Sequence, residues 1–102
     1  MEIRQSRNDH QATLALVGRF DFNVHREFKE VYMPLLAEAA LNLIEIDLSR
    51  VDYLDSSALG MLLMLRERAH TANKQITLSK PNHTVAQILE IANFNKIFTI
   101  AV

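Results

Sequence analysis

The sequence predicts one α/β domain on a mixed, mostly parallel sheet of four to five strands, with the element order β-β-α-β-α-β-α-β. Three observations carry this. The stretch Leu43-Ile44-Glu45-Ile46-Asp47-Leu48 alternates strictly, with the period of a strand covered on one face. Residues 57–72 follow as a helical run rich in Leu and Met. Other strand-like stretches are separated by single helical ones, which implies right-handed crossovers and parallel neighbours. The 102 residues fit one domain, spanning 1–102. A chain of this size buries roughly two-thirds of its unfolded surface, so one core holds it without staples.

The elements read as follows. Glu2 to Ser6 is a short strand, and Asn8-Asp9-His10 is a turn, because Asn and Asp tolerate turn geometry. Residues 12–18 form its partner, with Leu14 and Leu16 alternating with smaller residues. Asn23 is placed as the N-cap of a first helix. That helix carries Phe28, Val31, Leu35 and Ala39 on one face, with Val24, Tyr32 and Leu36 beside it. Pro34 inside the pattern removes a backbone hydrogen bond, so a kink or break is expected there. After the alternating strand and the second helix, Gln75 to Ser79 is a short strand and Pro81-Asn82 breaks the chain. Val85, Ile88, Leu89 and Ala92 have helical spacing, and residues 98–102 form a last strand.

Composition narrows the function. There is no cysteine, which excludes disulfides and thiolate metal sites. His10, His25, His70 and His83 share no metal-ligand spacing and are read as surface residues, so no metal is expected. A net charge of −1 leaves no basic footprint for nucleic acid. The longest unbroken apolar run, Met61 to Leu65, is far short of a membrane span. Met1-Glu2-Ile3-Arg4 lacks the apolar core of a signal peptide. A cytoplasmic protein without nucleic-acid or membrane partners is the expectation. The charges Arg26, Glu27, Lys29 and Glu30, and likewise Arg66, Glu67 and Arg68, read as solvated helix faces. Ser49, Ser79 and Thr84 read as turn or cap residues. No Gly-rich phosphate loop is present and no cofactor is expected. No nucleophile–base pair is legible, so an enzyme is the least favoured class.

The informative segment is Ile44 to Leu65. A buried strand is expected to end near Ser49. The connection Arg50-Val51-Asp52-Tyr53-Leu54 leads to Asp55-Ser56-Ser57, and an apolar helix follows at once. In open α/β sheets, functional groups gather at the C-terminal ends of strands. Asp and Ser are also the preferred N-caps, since their side-chain oxygens accept first-turn N–H groups. On physics alone, a helix cap and a phosphoacceptor weigh about equally.

Residues Leu48 to Leu62, read as Leu-Ser-Arg-Val-Asp-Tyr-Leu-Asp-Ser-Ser-Ala-Leu-Gly-Met-Leu, resemble the signature of STAS-domain anti-sigma factor antagonists. That signature is a strand, then Asp-Ser-Ser/Thr-Gly-Leu-Gly, then an apolar helix. Gly18-Arg19-Phe20-Asp21 is similar to the family's Gly-x-Leu/Phe-Asp at the end of the second strand. The element order agrees along nearly the whole chain. Ala58 replaces the usual Gly, a change that favours the helix. The chain stops at Val102, before the extra C-terminal helix of many members, which bears on the C-terminal surface and not on the phosphosite.

The resemblance implies a STAS fold and a phosphoacceptor at the first Ser after the motif Asp, here Ser56. It implies a GHKL-type serine kinase, often the anti-sigma factor itself, as partner, and a PP2C-type phosphatase that reverses the step. Asp21, Asp55 and Ser57 flank the site. Unphosphorylated protein would bind the partner and phosphorylated protein would release it. The alternative is a STAS scaffold or ligand-sensing module not controlled by phosphorylation.

Helix phase suggests where a partner docks. At 100° per residue, Ala58, Leu59, Leu62, Leu65 and Ala69 share one arc with Leu63 at its edge, and that arc is expected to face the sheet. Met61 and Met64 fall opposite, with Ser57, Gly60 and Arg68. Methionines on an exposed stripe are adaptable contacts. Met61, Met64, Gly60 and Arg68 are therefore the expected partner surface, ahead of a reading of the methionines as half-covered boundary residues.

Overall fold

The alternation of Ala12, Leu14 and Leu16 buries one side of a long strand. In a computed structural model describing Met1–Val102, that strand is β2, Gln11–Phe20. It pairs antiparallel with β1, Glu2–Asn8, across the two-residue turn Asp9-His10. Then come α1 (His25–Leu36), β3 (Leu43–Leu54), α2 (Ser56–Thr71), β4 (Gln75–Ser79), α3 (His83–Ile91) and β5 (Thr99–Ala101). The order is the expected one. Short 3-10 turns at Phe22–Val24 and Phe94–Lys96 lead into α1 and out of α3.

The five strands lie in chain order, β1-β2-β3-β4-β5, and every pair after the first is parallel. Right-handed crossovers in that order put all three helices on one face of the sheet. Leu14, Leu16, Ile44, Ile46, Leu48 and Leu78 are fully buried beneath them. The opposite face carries shorter and polar residues. There Glu45 accepts from Ser79 Oγ at 2.6 Å and from Gln11 Nε2 at 2.8 Å, which ties β2, β3 and β4 together. Ser79 is thus a buried ladder residue rather than the turn or cap expected of it.

Several local expectations are corrected. β3 does not end near Ser49 but continues to Leu54. Its pairing with β2 slips between Ala15 and Val17, and again between Gly18 and Arg19. Such bulges insert residues and bend a strand without ending it, so strict alternation is lost while pairing continues. Gly18 sits at the second slip with φ +107°, a conformation that residues with a Cβ rarely adopt.

Asn23 is not a helix cap. Asp21 caps the 3-10 turn by accepting from the Asn23 N–H at 3.0 Å, and α1 starts at His25. Pro34 does not split α1; it occupies the last turn, and the helix ends two residues later. Ala39 therefore lies beyond the helix and is exposed. Helices α2 and α3 are each followed by an Asn with positive φ, Asn73 at 60° and Asn93 at 62°. In a chain with two glycines, Asn supplies the left-handed residue that ends a helix.

The α1–β3 connection is pinned from inside. Lys74, only 8% exposed, donates from Nζ to the carbonyls of Glu38 (2.6 Å) and Leu41 (2.8 Å).

Candidate functional site

Three strand ends meet at one edge of the sheet, and each is followed by a polar residue that caps the next turn or helix. After β2, Asp21 caps the 3-10 turn. After β3, Asp55 caps α2 through Oδ1, which accepts from the Ala58 N–H at 2.8 Å. After β4, Asn82 caps α3 by accepting from the Val85 N–H at 2.9 Å, and its Nδ2 donates to the Val51 carbonyl at 2.8 Å. This is the edge where α/β folds carry their sites.

Asp55 does more than cap. Its Oδ2 accepts from the backbone N–H of Phe22 at 3.3 Å, and its own N–H donates to the Phe20 carbonyl at 3.3 Å. The β2–α1 and β3–α2 junctions are thereby clipped together. Asp21 also accepts from Arg19 Nε at 3.1 Å, while the Arg19 guanidinium lies 4.7 Å from the centre of the Tyr53 ring. The two aspartates thus flank one small surface from neighbouring strands.

Ser56 is the first residue of α2 and is exposed. Its side chain makes no hydrogen bond to the protein, and the first turn of α2 holds no acidic residue. An anion on Ser56 would meet the free N–H groups and the positive end of the helix dipole. Ser57 is half-buried and lines a groove between α1 and α2 with a volume of about 330 Å³. The groove also holds Phe22, His25, Phe28, Lys29, Tyr32, Gly60, Met61, Met64 and Arg68.

The expected contact stripe is partly revised. Met64 is 45% exposed, and Gly60 faces open space, with nothing within 4 Å of where a Cβ would stand. Arg68 is half-buried and donates to Tyr32 Oη at 3.1 Å and to Met33 Sδ at 3.6 Å. Met61, however, is 6% exposed and belongs to the core, where the expectation had placed it on the open side. The phase of the helix explains the error. Wheel geometry aligned α2 with the sheet alone, whereas α1 covers a second flank of it. Met61 fills that seam beside Phe28 and Tyr32. Conversely Leu63, assigned to the edge of the buried arc, is 39% exposed.

Sequence reasoning missed Phe22, which is 70% exposed beside the clipped junction. A signal was available. Phe22 follows a turn aspartate and lies outside the apolar spacing of both β2 and α1. His25 and Lys29, read as surface residues, do lie on the surface but line the groove. No group of three or more His, Asp or Glu is arranged to hold a metal ion. No helix is long and apolar enough to cross a membrane.

A family model described as "Mlab, STAS domain" matches residues 3–100. A STAS-domain containing protein of Pseudomonas aeruginosa is 40% identical over 96 residues, covering 94% of this chain and 93% of its own length. Among solved structures, the unphosphorylated form of the anti-sigma factor antagonist SpoIIAA, a Bacillus cell fate determinant, superposes with a TM-score of 0.83. It is 16% identical, over 99% of this chain and 89% of that one. The STAS domain of a SulP transporter from Vibrio cholerae gives a TM-score of 0.74 at 21% identity, over 95% of this chain and 76% of that one.

Proposed function

The chain belongs to the STAS-domain family, and from that premise we propose that it is a partner-switching regulator of the anti-sigma factor antagonist kind. Unphosphorylated protein binds a kinase/anti-sigma partner, and phosphorylation of Ser56 releases it. The observation that carries the reading is the exposure of Ser56 at the N-terminus of α2, directly after Asp55, whose carboxylate also holds the Phe22 backbone N–H. The hydroxyl is open to a kinase, and no hydrogen bond within the protein has to be broken to modify it.

The switch follows from charge. A phosphoserine brings about −1.5 to −2 charges at neutral pH. In the free protein the helix N-terminus stabilises that charge by roughly 0.3–1 kcal/mol, so the fold survives modification. In a complex the dianion would be desolvated close to Asp55 and Asp21. A penalty of about 3 kcal/mol weakens binding roughly 100-fold. The partners that fit are a GHKL-type serine kinase and a PP2C-type phosphatase, acting on a cytoplasmic, non-enzymatic binding module.

A second reading is a STAS scaffold without phosphorylation, favoured by the fold's likeness to a transporter's STAS domain. Incubation with the cognate kinase and ATP, followed by intact mass and peptide mapping, separates the two. The switch requires one added phosphate on wild type and none on Ser56→Ala. Equal modification of Ser56→Ala, or a phosphate mapped to Ser57, rejects the assignment, and an unmodified wild type leaves the scaffold.

A further inference from the structure

A second, wider cavity of about 640 Å³ lies along α1 and α2, lined in part by Met33, Leu36 and Thr71. It shares Lys29, Met64 and Arg68 with the groove beside Ser57. The two form one trough running the length of α2. Its span from Ser57 to Thr71 is about 21 Å at 1.5 Å per residue, which matches four turns of a helix. We propose that this trough receives an amphipathic helix of the partner, one whose apolar stripe is flanked by acidic side chains. The inference rests on the partner-binding reading above and specifies what the partner presents.

The helical form follows from the walls. Both sides of the trough are helices, whose backbone groups are already bonded within themselves. An extended peptide gains its affinity from main-chain bonds to a free strand edge, and none borders this trough. A helix carries its own backbone bonds and needs only side-chain contact. Met33 (41% exposed) and Met64 (45% exposed) offer adaptable apolar contact from opposite walls.

The acidic character follows from the charges. Lys29 and Arg68 line both cavities, and neither is ion-paired; the ion pairs of the molecule involve Arg4, Arg7 and Arg19. Glu67 is the single acidic residue in the lining. An incoming helix with carboxylates beside its apolar stripe would supply the anionic partner that Lys29 and Arg68 lack, Arg68 being bonded within the protein only to Tyr32 Oη and Met33 Sδ. The same carboxylates would make its end nearest Ser57 sensitive to a phosphate on Ser56.

The test uses the full chain and two fluorescein-labelled 18-residue helical peptides with identical leucine stripes. One is flanked by Glu and the other by Lys. Fluorescence polarisation should show the Glu peptide binding at least 10-fold more tightly. Lys29→Glu should reverse that preference, and the uncharged Met33→Asn should weaken both peptides at least 10-fold with an unchanged melting temperature. Equal binding of the two peptides, or a preference indifferent to Lys29→Glu, overturns the proposal. So does self-association of the chain that Met33→Asn abolishes, since the occupant would then be a second copy. The Ser56 phosphorylation assay runs alongside. A protein that is phosphorylated and releases its partner, yet ignores the peptide charge, keeps the switch and loses the helix. Intact peptide preference in a chain that the kinase does not modify does the reverse.

Discussion

Asp55 Oδ2 accepts the backbone N–H of Phe22 at 3.3 Å, across 33 residues of sequence, while Oδ1 of the same carboxylate caps α2. One side chain thus fixes both the start of the helix that bears Ser56 and the turn that holds an exposed aromatic ring. The motif aspartate is a joint between two strand ends, and its neighbour Ser56 is left without internal partners. The proposed phosphosite is rigidly mounted and chemically free.

Asparagine and alanine at position 55 separate the two roles. Asp55→Ala removes the cap and is expected to cost about 1 kcal/mol, or roughly 4–8 °C in a domain of this size. Asp55→Asn keeps one carbonyl oxygen for the Ala58 N–H but offers an NH₂ where Phe22 needs an acceptor. Its melting temperature should stay near that of wild type, while the Phe22 amide exchanges with deuterium faster. Unchanged Phe22 exchange in both variants would mean that Asp55 only caps.

Ser56→Asp should melt within about 1 °C of wild type or slightly above it, since a carboxylate in the first turn of α2 meets the positive end of the dipole. Under the proposed switch it should nonetheless lose affinity for the kinase partner. The two measurements are read together. A large drop in melting temperature would contradict the helix-terminus argument, and undiminished binding would contradict an interface centred on the serine.

The parts of the fold legible in the sequence are those where one face alone is buried. The alternation of Leu43 to Leu48 and of Leu14 and Leu16 placed β3 and β2, and the single helices between strands gave the parallel order. What was not legible depends on contacts between elements. Alternation fails at the bulge opposite Val17, so the outer half of β3 read as a loop. Met61 has no sequence mark separating it from Met64; only the approach of α1 buries one and spares the other. The cap at Asp21 was hidden for a related reason, because the 3-10 turn it starts is too short to show a period. The motif around Ser56 located the candidate site, whereas Phe22 and the trough emerged only once α1 and α2 were side by side.

Lys74 supplies a stability test remote from the site. Lys74→Met keeps the aliphatic stem and removes both bonds to the Glu38 and Leu41 carbonyls. Hydrogen bonds to a charged group are worth more than neutral ones, so the loss should be about 2 kcal/mol. Urea unfolding should show a lower midpoint with an unchanged slope. Lys74→Arg should not restore it, because a planar guanidinium cannot take the place of a compact ammonium between two carbonyls. Full stability of the methionine variant would show that water satisfies those carbonyls as well as the lysine does.

Met61 and Met64, three residues apart on α2, should respond oppositely to lysine. At 45% exposure Met64 can turn a lysine into water, so Met64→Lys should change stability by no more than about 0.5 kcal/mol. Met61 is buried at the floor of the groove between α1 and α2, which Phe28 and Tyr32 also line, and a lysine there would place a charge against these rings or push the helices apart. The cost should be about 3 kcal/mol or more, and the variant should approach the behaviour of Leu62→Lys, which places a charge at a fully buried position and should not fold. Partner affinity completes the comparison. Met64→Lys should bind more weakly while melting normally, because an adaptable apolar contact is lost and a third cation enters a trough that already holds Lys29 and Arg68. A helix rich in carboxylates would offset part of that loss and a neutral one would not, so the size of the drop reports the charge of what docks there. Should Met64→Lys bind normally to a partner that Ser56→Asp still releases, the contact lies on the Phe22 side of Ser56 and the trough plays no part in it.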